Sequence, residues 1–273
     1  MNNFKLSKLV RFSGSRVLFA LVLGLFLVMS GCEKKDDNSG APQLPPLESM
    51  VMDFSEFNPQ QKSTTEIDTT YFNWAVAASI VVTWNAFIVD TLAIPVVAFT
   101  ESFNHIAVKD TNDTWKWSYT VTVADVNYTA ELYGKIVGTN VSWKMYVSQE
   151  GGFSKFLWFE GLCDIARTAG TWTLYENPRS PNKVLSIVWT KDWSNGTGDI
   201  TYTNIRSNDA GNGDYIQYGI TSDTDFDAFY DIYDYSKTNL VNINYNRETH
   251  NGSICLNGTC YCWDELLQDI TCP

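Results

Sequence analysis

Trp115–Ser148 reads WKWSYTVTVADVNYTAELYGKIVGTNVSWKMYVS. Trp115, Trp117, Tyr119, Val121 and Val123 alternate with Lys116, Ser118, Thr120 and Thr122. Tyr128, Ala130 and Leu132 alternate with Thr129, Glu131 and Tyr133, and Val141, Trp143, Met145 and Val147 with Ser142, Lys144, Tyr146 and Ser148. A side-chain period of two with one apolar face is the pattern of half-buried antiparallel strands. The pattern returns near the end of the chain, where Val241, Ile243 and Tyr245 alternate with Asn242, Asn244 and Asn246. Turn signals divide the runs: Gly138, Gly151-Gly152, Asn195-Gly196, Gly211-Asn212-Gly213, Asn251-Gly252 and Asn257-Gly258. About eleven strands are expected between Trp115 and Cys262. Their short connections favour pairing of neighbours, and so many strands must curl or close to limit exposed edges.

Upstream, the uncharged run YFNWAVAASIVVTWNAFIV (Tyr71–Val89) is too long for a strand and carries four alanines, so it predicts a helix. Pro95 interrupts the apolar stretch after it, which divides residues 70–104 into a helical hairpin. Phe156–Phe159 and Val184–Trp189 are apolar on both strand faces and need cover on both sides; the hairpin is expected to supply it. The predicted fold is mainly β (α+β): a curled antiparallel meander or up-and-down barrel, with the hairpin packed on it.

The N-terminus carries an address. Lys5, Lys8, Arg11 and Arg16 precede an apolar run, Val17–Met29, which is shorter than a bilayer span. Val28-Met29-Ser30-Gly31-Cys32 resembles a bacterial lipobox, and Lys35-Asp36-Asp37 resembles the export signal of Bacteroidota lipoproteins. The resemblance implies a signal peptide over 1–31, acyl chains such as palmitate on Cys32, and display on the outer membrane, facing the cell surface or alternatively the periplasm. Two or more acyl chains make a stable anchor, since each buried CH₂ contributes about 0.8 kcal/mol. Residues 32–49, rich in charge, Asn, Ser and Pro, read as a disordered tether, and 50–273 as one β-rich domain.

The domain also resembles a family of Bacteroidota lipoproteins without assigned activity, through Trp143-Lys144-Met145-Tyr146-Val147-Ser148, Gly151-Gly152-Phe153, Gly170-Thr171-Trp172-Thr173-Leu174-Tyr175, and Cys262-Trp263-Asp264 with Cys272. That resemblance implies a fold and a location and carries over no catalytic residue.

The chain has a net charge of −12, and the signal removes four positive charges, which leaves the mature chain at −16. Such acidity, without a basic stripe, repels nucleic acid and anionic lipid headgroups, so no nucleic-acid partner is expected. Of six cysteines, Cys32 is assigned to lipid. Asn257-Gly258 suits a two-residue hairpin that sets Cys255 opposite Cys260 as a cross-strand disulfide, and Cys262 can staple the terminal segment (253–273) through Cys272. Cys163 is left as a buried thiol.

No metal or cofactor is expected. The C-terminal cysteines lack paired Cys-x-x-Cys knuckles. Asp223, Asp225, Asp227, Asp231 and Asp234 fit calcium-loop spacing, but Ala228 stands where glycine is needed and Asp234 where glutamate is. The two histidines, His105 and His250, join no nucleophile–base set, so no enzymatic activity is expected; Glu160 and Asp164, imitating a glycosidase pair, leave a hydrolase as a minor alternative.

Aromatic side chains suggest binding. The expectation is a lipid-anchored module for an apolar ligand or a glycan, with Trp117, Trp143 and Trp172 as ligand-contact candidates. Tyr133, Tyr146 and Tyr175 on the polar faces are either cross-strand packing pairs or a stacking surface. The alternative is a structural or interaction lipoprotein with a filled core and a protein partner.

Overall fold

The computed structural model describes residues 40–57 and 71–273. The lipobox, Cys32, and the export signal Lys35, Asp36 and Asp37 lie outside the described residues. Asn38–Pro273 forms one compact unit.

Fourteen antiparallel strands make one sheet in strict sequence order: β1 (Val108–Lys109), β2 (Thr114–Val123), β3 (Val126–Val137), β4 (Asn140–Gln149), β5 (Phe156–Asp164), β6 (Ala169–Asn177), β7 (Ser180–Lys191), β8 (Gly198–Asn204), β9 (Tyr215–Ile220), β10 (Ala228–Asp234), β11 (Asn239–Tyr245), β12 (Gly252–Leu256), β13 (Thr259–Trp263) and β14 (Asp269–Ile270). The meander is as expected, but the sheet is open: β1 and β14 do not pair with each other, so there is no closed barrel. Fourteen strands exceed the expected eleven mainly because β1 and β14 hold two residues each, too few to show a period. Such short edge strands offer little template for pairing with another chain.

One helix, α1 (Phe72–Glu101), replaces the expected hairpin. It bends by 76° between Phe72–Ile88 and Leu92–Asn104. Pro95 explains the bend: its ring lacks an N–H and clashes with the carbonyl four residues earlier, at position 91. No single helix among the described residues is long and apolar enough to cross a membrane, although the bent pair would pass by length and composition.

α1 touches β2 near one end of the sheet and β12, β13 and β14 at the other. In a flat sheet β2 and β13 would stand roughly 50 Å apart. A straight helix of this length spans about 45 Å, and the bend shortens it. The sheet therefore curls around α1, which bridges its two ends where hydrogen bonds do not. At the N-terminal end, the Asn73 amide donates to Asp269 Oδ1 (2.9 Å) and its side chain to the Cys262 carbonyl (2.9 Å). At the C-terminal end, the Tyr119 hydroxyl donates to the Ala98 carbonyl.

The concave face is filled by rings. Trp143, Trp172, Trp189 and Trp263 are fully buried there. Each lies over a glycine directly opposite on a neighbouring strand: Trp143 on Gly134, Trp172 on Gly161, Trp189 on Gly170 and Trp263 on Gly252. A Cβ on any of these glycines would come within 2.7 Å of the indole, so the rings fill the space that side chains would otherwise take.

Residues 40–49 differ from the tether expected of their composition. Pro42, Pro45 and Pro46 are buried, Leu44 and Leu47 pack on the core, and Ser49 is buried against the Trp172 indole, whose N–H donates to its hydroxyl (3.4 Å). Prolines leave little backbone N–H to satisfy, so an irregular segment can lie against apolar rings. Residues 40–57 thus form a strap across the concave face. Tyrosines hold it: the Tyr202 hydroxyl donates to the Met50 carbonyl (2.7 Å) and accepts from the Met52 amide (3.1 Å), and Tyr230 donates to the Asp53 carbonyl. The strap shares the covering role expected of the helix. Phe99 of α1 packs edge-on to Phe159 (6.1 Å) and Trp172 (5.7 Å), while Leu47–Ser49 covers β7.

Candidate functional site

The three tryptophans expected to meet a ligand are structural neighbours of the core. Trp143 and Trp172 are 0% and 1% exposed, and Trp117 is 4% exposed, 5.5 Å from Trp143. The Trp143 N–H donates to the Cys163 thiol (3.2 Å). Burial pushes that thiol's pKa up. A ligand would reach these rings only if the strap or α1 left the concave face.

The two rims of the sheet differ. One rim holds the turns β2–β3, β4–β5, β6–β7, β8–β9 and β10–β11; the other holds the turns between. At the first, Phe153, Ser154, Lys155, Phe156, Leu157, Tyr175, Pro178 and Pro181 line an open cavity of about 460 Å³. The β4–β5 loop supplies one wall and the Pro-bracketed β6–β7 turn the other. A bulge in β5 opposite Met145 and Tyr146 builds the floor. It turns both Trp158 and Phe159 into buried positions, and Trp158 packs against Phe153 (5.8 Å) and Phe156 (5.2 Å). The Trp158 and Trp189 N–H groups are buried without an acceptor. An unmet buried donor costs about 1–3 kcal/mol.

A charged network on the convex face adjoins this cavity. The Tyr175 hydroxyl donates to Glu160 Oε1 (2.7 Å), and Lys144 stands 3.3 Å from Glu160 Oε2. Glu131 takes Lys116 and Lys155, each at 3.4 Å, and accepts a bond from Tyr133 (3.3 Å). Tyr133 meets Tyr146 edge-on at 5.8 Å. The Tyr175 bond, with Lys144 in support, holds the Glu160 carboxyl below the usual range. Desolvation, reinforced by the neighbouring carboxylate, pushes Tyr133 and Tyr175 up to about 12. These tyrosines are therefore neutral donors at physiological pH. Of the polar-face tyrosines singled out in the sequence, Tyr133 and Tyr146 form a packing pair and Tyr175 opens onto the cavity. Pro178 and Pro181 were not singled out in the sequence.

The remaining candidates resolve individually. Glu160 and Asp164 share the convex face of β5 four residues apart, about 13 Å along a strand, which exceeds the separation of glycosidase carboxylates. Asp164 instead caps the β5–β6 turn through the Thr168 amide (2.7 Å). Asp223 accepts from the amides of Asp225 and Phe226, Asp227 pairs with Arg247 (2.8 Å), Asp231 accepts from Asn242, and Asp234 holds Lys237. These carboxylates face separate partners and do not converge. His105 stacks on Tyr119 (4.7 Å) beside Glu101, and His250 Nδ1 meets Glu56 (2.7 Å).

Both disulfides form, the first across the β12–β13 hairpin register and the second tying β13 to the chain end. Cys255 pairs with Cys260 and Cys262 with Cys272, at Cα separations of 3.9 and 5.1 Å, leaving Cys163 free. Asn257 and Gly258, at φ 49° and 87°, make the two-residue turn.

No protein-family model, no curated protein and no solved structure matches the chain.

Proposed function

We propose that the protein is a lipid-anchored binding module of the cell envelope that takes a neutral glycan at the rim cavity of β5 and β6. The observation that carries this reading is Tyr175, which lines the cavity while its hydroxyl is fixed on Glu160. Rings and prolines supply flat apolar walls, and Glu160, Lys144, Lys155 and Glu131 supply fixed acceptors and donors beside them. A cavity of this volume suits a small ligand, and ligand sites combine apolar walls with a few placed polar groups. A net charge of −12, or −16 once the proposed signal over 1–31 is removed, disfavours anionic saccharides. The filled concave face favours this surface site over an apolar ligand held inside. The anchor rests on the lipobox-like sequence ending at Cys32, and outer-membrane display on Lys35-Asp36-Asp37.

Titration calorimetry of the full chain against a panel of neutral oligosaccharides tests the site. Binding that Tyr175→Ala abolishes and Tyr235→Ala leaves intact is expected. Equal affinity in both variants, or no heat from any saccharide, overturns it. A second reading, an interaction lipoprotein with a protein partner, is favoured by the same filled core; reproducible cross-links to one protein on whole cells, with no saccharide bound, would establish it.

A further inference from the structure

The rim opposite the cavity is the one at which the strap begins. A Cβ on Gly40 would lie 3.3 Å from the Trp115 ring, and Trp115 pairs with Gly134 at this end of β2 and β3. Further along the strap, Glu48 meets Lys191 (3.7 Å) at the same end of β7. Seven residues, and so eight Cα–Cα steps, separate Cys32 from Gly40. Whatever their conformation, they reach at most about 28 Å. A lipid on Cys32 therefore keeps this rim, rather than the cavity rim, close to the bilayer.

The turns there carry side chains suited to that position. Val108 is 66% exposed, Val137 53%, Ile165 52% and Trp193 49%. Trp193 is fixed: its N–H donates to the Arg167 carbonyl (3.0 Å), and Arg167 and Lys191 lie 5.2 and 5.6 Å from its ring centre. An exposed tryptophan flanked by two cations, with aliphatic residues on neighbouring turns, matches the chemistry of a headgroup layer. There indoles settle at the boundary and cations meet phosphates. The same turns also expose Asp110, Asp113 and Asp192, and beyond β8 the rim exposes Asp223, Asp225 and Glu248, so it is the apolar tips between β1 and β8, and not net charge, that mark out the contact.

We propose that the rim formed by the turns from β1 to β8 rests on the phospholipid headgroups of the membrane that holds the anchor, with Ile165 and Trp193 inserted and Arg167 on the phosphates. This deepens the anchored-module reading and rests on lipidation of Cys32. The cavity is thereby turned away from the membrane, toward solutes.

The test uses the lipidated chain reconstituted in phosphatidylethanolamine–phosphatidylglycerol vesicles. A fluorophore is placed on Ile165→Cys, or on Lys237→Cys at the cavity rim, and nitroxide-headgroup lipids serve as quencher. Quenching several-fold stronger at position 165 than at 237, and lost when Trp193→Glu and Arg167→Glu are added, is expected. Equal quenching at both positions, with acyl chains detected on Cys32 by mass spectrometry, overturns the rim contact and leaves the anchor standing. Absence of acyl chains on Cys32 overturns both.

Discussion

Two halves of one concave face are held by different rings. From β3 to β7, Trp143, Trp172 and Trp189 lie over glycines of adjacent strands, ring against backbone. From β8 to β11, Tyr202, Tyr218, Tyr230 and Tyr245 take the same inward positions. Tyr230 stacks on Tyr245 (6.0 Å) and lies 5.0 Å from Tyr218. Two of these hydroxyls hold the strap. The first half is closed mainly by shape between neighbouring strands, with one long bond from the Trp172 indole to Ser49 of the strap (3.4 Å). The second is closed by hydrogen bonds to a segment remote in sequence. A tryptophan offers area and one donor; a tyrosine offers less area and a hydroxyl that serves both a carbonyl and an amide.

The largest test removes a ring from the tryptophan half. Trp172→Ala is expected to cost about 3–5 kcal/mol in urea unfolding, the range for emptying a buried aromatic site. A loss below about 1 kcal/mol would mean that the half can collapse without it. Next, Gly161→Ala sets a Cβ 2.1 Å from the Thr171 carbonyl and 2.4 Å from the Trp172 ring. Overpacking of this kind costs about 1–3 kcal/mol, and a neutral result would show that the glycine under the indole is dispensable.

For the hydroxyl-bonded half, Tyr202→Phe keeps the ring and strips the Met50 carbonyl and Met52 amide of their partner. A loss of about 1–3 kcal/mol is expected, with faster hydrogen exchange at Met52 and none at the amides of β6. Exchange that quickens equally in both halves would mean that they are not separable.

The smallest effect falls on the convex face. Tyr175→Phe should cost about 1 kcal/mol or less at neutral pH. The Glu160 carboxyl, now held low first by that hydroxyl, should shift upward in an NMR titration. Because the folded pKa is the lower one, the stabilisation it carries is present above the unfolded carboxylate pKa. It is lost as pH falls through the folded value. The stability gap between variant and parent should therefore close in acid, and a gap that widened would assign the bond to a protonated carboxyl.

Local rules made the strands and the terminal hairpin legible in the sequence. The alternation in Trp115–Ser148 fixes which side chains share a face, and Asn257-Gly258 fixes the register that joins Cys255 to Cys260. Each acts over a few residues. The cavity was less legible, because Tyr175 stood out as an aromatic on a polar face but its walls come from two separate turns and a bulge. The strap was misread because proline and asparagine speak only of missing local structure; its partners, Tyr202 and Tyr230, lie 152 and 177 residues away. By itself the sequence determined a meander of paired strands with an aromatic inner face. Only the tertiary structure decided that this meander curls without closing, with a helix kinked ahead of Pro95 and a proline-rich strap filling its concave side. A period of two constrains neighbours in the sheet, whereas closure depends on what the whole inner face is able to bury.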